Sequence, residues 1–188
     1  IQGYSAFLLT KGDDLSIKKR NNFLKIINTA SDNILKLLND LLSFSAIESG
    51  QLSLDLKPNN LRKLIEEYIQ TYTPLAFEKN ITLKMHCQNE AIAIFDKPRI
   101  GQVLDNLLTN AIKFSPIGGL IEINLETKNG YNSVSVKDQG PGIKNEELES
   151  LFKPFKKLST NPTGQEKGTG LGLAIAKKMI ELHNGTLI

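Results

Sequence analysis

From Leu15 to about Ser49, apolar residues recur every three or four positions: Phe23, Ile27, Ala30, Ile34, Leu37, Leu41 and Phe44. That period puts them on one stripe of a single long helix, and Ile26, Leu38 and Leu42 widen the stripe beyond a two-stranded zipper. Ile1 to Thr10 reads as the tail of a partner helix, and the polar stretch Lys11 to Asp14, KGDD, as the turn between them. Two helices cannot cover so wide a stripe, so the pattern predicts a helical hairpin that joins an intermolecular bundle. A monomeric helical subdomain is the alternative.

The pattern changes near Gly50. Leu52, Leu54 and Leu56 alternate with polar residues up to Pro58, which predicts a strand. Beyond it the sequence predicts a helix over Leu61 to Glu78, strands over Ile81 to Cys87 and Ala91 to Phe95, and a helix from Pro98 to Phe114. Two further strands, Leu120 to Glu126 and Tyr131 to Lys137, flank Asn129-Gly130, a hairpin turn. A helix over Asn145 to Phe152, a polar loop and a helix over Leu171 to Leu182 complete the order. Helices mixed with strands, two of them in a hairpin, indicate an α+β layered domain after the helical hairpin. The division falls at residues 1–50 and 51–188, and both ends read as cut from a longer polypeptide.

Composition narrows the picture. The chain has 188 residues, 40% of them hydrophobic, enough for one ordinary domain plus a smaller element. A net charge of +3 is too small to imply nucleic-acid binding without a concentrated patch. No run approaches the roughly 20 apolar residues of a membrane span, so no membrane contact by this segment is expected. The single cysteine, Cys87, excludes an intramolecular disulfide and is read as a small residue of a strand, buried or half-buried.

Four stretches carry candidate chemistry. Within DNLLTNAIKFSP, Asn106, Asn110 and Lys113 are spaced at i, i+4 and i+7 and share one helix face, opposite Val103, Leu104, Leu107, Leu108, Ala111 and Ile112. Two carboxamides and an ammonium so placed suit a phosphate-bound cation, although a solvated helix face has the same composition. In DQGPGI, Asp138 follows a strand, and Gly140 and Gly142 let a ligand ring approach the backbone; the same string is ordinary turn chemistry. In LFKPFKKL, Leu151, Phe152 and Phe155 would anchor the start of a loop, with Lys156 and Lys157 facing solvent or phosphates. In KGTGLGLAIAKK, Gly168, Gly170 and Gly172 lead into a helix whose free amides and positive dipole end favour an anion. This last string matches neither a P-loop nor a dinucleotide fingerprint.

Their order, an Asn-bearing helix, an Asp-Gly turn, an anchored loop and a glycine-led helix, resembles the N, G1, F and G2 boxes of sensor histidine kinases. These kinases share an ATP-binding superfamily with gyrase, HSP90 and MutL. SAIESGQLSLDLKP also resembles the family's junction between dimerisation helices and catalytic domain, so the likeness covers nearly the whole chain. It implies a helical hairpin that forms part of a dimeric four-helix bundle, followed by an α/β two-layer sandwich.

The resemblance further implies a Mg-ATP site. Asn110 would be a magnesium ligand, with Asn106 near the metal's water shell or the phosphates. Lys113 would contact phosphate, and Asp138 would receive the adenine amine. Gly140 and Gly142 would shape the adenine pocket, and Phe114, Ile143 and Phe152 would also bind the nucleotide. Gly168, Thr169, Gly170, Leu171, Gly172 and Leu173 would wrap the phosphates. The family often has Arg where Lys157 stands, and Lys lacks its bidentate fork. Hydrolytic relatives carry a carboxylate at the position of Asn106, so its absence implies phosphoryl transfer over hydrolysis.

Only His86 and His183 occur, and neither lies in the family's phosphoacceptor segment. The acceptor histidine is therefore expected upstream of Ile1, on the helix that IQGYSAFLL continues. The implied partners are a second copy of the chain and the receiver domain of a response regulator. Bacterial cytoplasm is the implied location, with a parent protein open to membrane anchoring. A nucleotide-gated dimerisation module without phosphotransfer is the alternative function.

Overall fold

The computed structural model describes residues 1–11, 14–87, 89–156, 158–160, 162–163 and 168–188. The chain divides into two compact units, Ile1–Glu48 and Ser49–Ile188.

The first unit holds α1 (Gln2–Lys11) and α2 (Ile17–Glu48). Gly12 and Asp13 of the expected turn lie outside the described residues. Ser16 starts α2: its Oγ accepts from Lys19 N at 3.4 Å and its carbonyl from Arg20 N at 3.0 Å. The helices meet at Phe23, whose ring lies 5.0 Å from Tyr4 and 5.7 Å from Phe7, the latter edge-on. Further along α2 the apolar stripe is open: Ile34, Leu37, Leu38, Leu41 and Leu42 are all exposed. None of the described helices is long and apolar enough to cross a membrane.

The second unit contains β1 (Lys57–Asn60), α3 (Leu61–Phe77), β2 (Thr82–Cys87), β3 (Ile92–Phe95) and α4 (Lys97–Phe114), then β4 (Leu120–Lys128), β5 (Tyr131–Lys137), α5 (Asn145–Leu148) and α6 (Gly172–Leu182). β2 runs parallel to β4, and β4 antiparallel to β5. β1 and β3 form a separate antiparallel pair. On β4, Ile121, Ile123 and Leu125 face inward and are buried, whereas Glu122 and Asn124 face outward. The inward row packs with Leu64 and Ile65 of α3 and Leu104, Leu108 and Ile112 of α4 in one core. Helices thus cover one face of a mixed sheet, as the alternation in β4 and the apolar stripe of α4 require. Asn129 and Gly130 take φ of 53° and 80°, the left-handed pair that a tight hairpin needs. Cys87 is half-buried in β2.

Side chains fix where elements begin. Asn60 caps α3 by accepting from Lys63 N at 3.2 Å. Asp96, buried, caps α4 with one oxygen on Arg99 N at 3.1 Å and holds Asp55 N with the other at 2.9 Å. His183, at the end of α6, accepts from Asp96 N through Nε2 at 3.1 Å. Its Nδ1 therefore carries the proton, which it donates to Met179 O at 2.7 Å. That histidine joins the end of one helix to the start of another.

Three expectations need correction. Leu52, Leu54 and Leu56 are not in a strand; pairing begins at Lys57. Lys57 lies opposite Phe95, the last residue of β3, so the preceding residues run past their partner and have no ladder to join. The helix expected over 145–152 ends at Leu148, and short-range turns follow it, Leu151 N to Leu148 O and Lys153 N to Ser150 O. Pro154 has no N–H with which to continue a helix. Phe155 is not a buried anchor of the loop: the residue is 61% exposed. Its φ is 60°, in the left-handed region.

Candidate functional site

α4 carries the polar face read from sequence. Asn106 is buried, and Asn110 and Lys113 are half-buried. Asn106 Nδ2 donates to Gln102 O at 3.0 Å, which leaves its Oδ1 directed at the first residue of α6. A Cβ on Gly172 would stand 2.5 Å from that oxygen, closer than any side chain tolerates, so only glycine lets the start of α6 lie there. Asp105, next in sequence, turns the other way: Tyr72 of α3 donates its hydroxyl to Asp105 Oδ1. Burial, then this bond, push the Tyr72 hydroxyl well above its ordinary pKa. The face of α4 that meets α6 therefore presents amides and an ammonium.

The glycine-led segment crosses the same face. A Cβ on Gly168 would lie 2.9 Å from Lys113 Nζ. Gly170, at φ of 78°, passes so close to Phe155 and Lys156 that a Cβ would stand 2.9 Å from the Phe155 carbonyl carbon. Thr169 Oγ1 accepts from Leu171 N at 3.1 Å. Leu171 is buried and precedes α6, whose start has no side-chain cap. Leu173 lies half-buried in the first turn. Amides at a helix start without a side-chain cap, beside an ammonium, are chemically suited to phosphate.

The Asp-Gly turn lies beside the end of α4. Asp138, exposed, accepts from Gly140 N through Oδ1 at 2.6 Å. A Cβ on Gly140 would stand 2.9 Å from Phe114 O. Asp138 keeps acceptor capacity on its second oxygen, the property an exocyclic amine needs. Gly142 has φ of 73° and its carbonyl accepts from Thr160 Oγ1 at 3.2 Å. Ile143 is exposed and Phe152 half-buried; Lys177 Nζ of α6 sits 4.6 Å above the Phe152 ring. The structure thus brings the four stretches together, although they are far apart in sequence. Lys157 lies outside the described residues.

Sequence reading missed the groups that tether the loop between Phe152 and Gly168. Glu147 accepts from Ser159 N at 2.8 Å and from Ser159 Oγ at 3.0 Å. The Ser159 backbone bond, chiefly, holds the Glu147 carboxyl below its usual range. Thr163 bonds the end of α4, where Lys79 also reaches. No local motif marks these residues, because each acts through a partner remote in sequence.

Residues 95–188 match the family model described as histidine kinase-, DNA gyrase B-, and HSP90-like ATPase. The circadian input-output histidine kinase CikA of Synechococcus elongatus is 33% identical over 186 residues, covering 97% of this chain and 25% of that protein. This chain spans about a quarter or less of the curated relatives it matches. Among solved structures, full-length ShkA in complex with AMPPNP aligns with a TM-score of 0.71 and 26% identity, over 95% of this chain and 36% of that one. Histidine kinase ThkA in complex with response regulator protein TrrA aligns with a TM-score of 0.71 and 27% identity, over 97% and 50%. Family model, relatives and architecture agree with the convergence of glycines, amides and lysine on α4: the chain belongs to the histidine kinase-, DNA gyrase B- and HSP90-like ATPase family, among its sensor histidine kinases.

Proposed function

We propose that this chain is the catalytic core of a sensor histidine kinase, binding Mg-ATP between α4, the Asp138 turn and the start of α6. The γ-phosphoryl group then passes to a histidine upstream of Ile1, ADP departs, and the phosphoryl group moves on to an aspartate of a response-regulator receiver domain. The observation that carries this reading is the close approach of Gly172 to Asn106 and of Gly168 to Lys113, which supports a phosphate site lined by glycine backbone beside the amide and the ammonium. The AMPPNP held by ShkA and the response regulator held by ThkA support the same assignment for this relative.

The donor set fits a magnesium nucleotide. Among the described residues no three His, Cys, Asp or Glu side chains come together to hold a metal. Asn110 would supply a neutral amide oxygen, a hard donor that leaves the cation's charge for the phosphates. When bound, magnesium supplies charge neutralisation across the phosphate oxygens. The start of α6 lies close against Asn106 of α4, so its amides would meet the phosphates beside that residue. Lys113 contacts phosphate, and Asp138 fixes adenine by its amine. Phe114, Gly140, Gly142, Ile143 and Phe152 border the base, and Gly168 to Leu173 border the phosphates. With an amide at Asn106 and Asp105 committed to Tyr72, this face of α4 offers no carboxylate to activate water, which favours transfer over hydrolysis.

The exposed stripe Ile34 to Leu42 fits a second copy of α2, since one copy of the hairpin leaves it open. The site faces the cytoplasm, where nucleotide is available. Mass spectrometry of the longer protein after ATP treatment tests the assignment: phosphate on a histidine before Ile1 is the expected result. Nucleotide binding without any phosphohistidine would leave a nucleotide-gated dimerisation module instead.

A further inference from the structure

The last four carbonyls of a helix have no partner within it. At the end of α4, three of them are satisfied from three directions. Ala111 O accepts from Ser115 N at 2.9 Å. Lys79, in the turn after α3, donates Nζ to Ile112 O at 3.1 Å and more weakly to Lys113 O at 3.4 Å. Thr163 donates its backbone N–H to Lys113 O at 3.1 Å. The Thr163 hydroxyl lies 2.9 Å from both Lys113 O and Ser115 O, and 3.3 Å from Lys79 Nζ. Its single proton serves one carbonyl at a time while its oxygen accepts from the ammonium.

Thr163 therefore holds the backbone of the residue whose side-chain tip lies beneath Gly168. Thr163 is fastened to the Lys113 carbonyl, and Gly168 lies beside the Lys113 ammonium. Lys79 reinforces the fastening, as a cation beside the negative end of a helix dipole. We propose that Thr163, backed by Lys79, is a positioning residue for Lys113, setting the height of its ammonium beneath the phosphate cradle. The proposal rests on the nucleotide reading above and adds a loop tether to it.

Thr163→Val removes the hydroxyl at nearly constant volume, and Thr163→Ser restores it. The expected result is that Thr163→Val weakens Mg-ATP binding about three- to tenfold, the scale of one lost hydrogen bond, while Thr163→Ser stays within about twofold of wild type. Adenosine, measured by competition against a fluorescent nucleotide, should bind both variants equally, because it has no phosphate for Lys113 to meet. In a Lys113→Met background, Thr163→Val should cost nothing further, and Lys79→Gln should behave like Thr163→Val. Equal losses for adenosine and Mg-ATP, or an undiminished loss in the Lys113→Met background, would mean Thr163 merely supports the fold and would overturn the proposal. Wild-type affinity that depends on Lys113 but not on Thr163 overturns the tether alone. A wild-type chain that ignores Mg-ATP overturns the nucleotide reading with it.

Discussion

The two units of this chain use the same kind of apolar stripe to opposite ends. On α4 the stripe is consumed: Leu104, Leu108 and Ile112 are at most 3% exposed, beneath a sheet that supplies Ile121 and Ile123 at 0%. On α2, Ile34, Leu38 and Leu42 are 56%, 50% and 59% exposed. A periodic stripe commits a helix to burying one face without stating what will cover it. In the α/β unit the cover comes from the same 140-residue stretch, Ser49–Ile188, whereas the stripe of the helical unit stays exposed.

That contrast can be broken most forcefully in the core. Ile123→Ala should destabilise the α/β unit by about 2–5 kcal/mol through transfer and cavity costs, with a melting midpoint independent of protein concentration. A concentration-dependent midpoint would mean that this core is shared between chains.

Next in size is the site. Asp138→Ala, by losing a charge-assisted bond to the ligand, and Asn110→Asp, by setting a carboxylate against the triphosphate, should weaken Mg-ATP binding about a hundredfold by calorimetry and leave self-association unchanged by sedimentation. Full affinity in either variant would remove that residue from the site.

On the proposed packing of a second α2, Leu38→Glu should raise the dimer dissociation constant at least about tenfold while nucleotide affinity holds, because a carboxylate would then be buried. Unchanged sedimentation would show that the stripe is covered by something else.

The smallest effect concerns Glu147. Its carboxyl titrates below the ordinary 4.5 in the folded state, so the clasp on Ser159 contributes above that pH and is lost as pH falls through the lower folded value. Glu147→Gln should lower the α/β unit's stability slightly at neutral pH and converge with the wild type in acid, so that the acid limb flattens. A variant with the wild-type acid limb would show that the pair is already broken in solution.

Much of this was legible in the chain because it is local. The spacing of Asn106, Asn110 and Lys113 required only the helical period, and Asn129-Gly130 required only the backbone freedom of a tight turn. The alternation of Leu52, Leu54 and Leu56 misled for the complementary reason. A strand exists by virtue of a partner, and β3 has already turned into α4 at Asp96 when those residues pass. Phe155 looked like an anchor from its apolarity, but the folded chain leaves it largely exposed. Lys79 and Thr163, 84 positions apart, had no signal at all, since their relation is created by the fold.

The sequence by itself determined the order of helices and strands, the residue types that a nucleotide site requires, and the apolar stripes that must be covered. These follow from periodicity, turn chemistry and hydrophobicity, which act over a few neighbouring residues. Tertiary structure alone decided that Asn106 meets Gly172, that Asp105 turns away to Tyr72, and that one threonine holds the end of α4. Contacts between remote segments depend on how layers pack, and packing is a property of the whole unit.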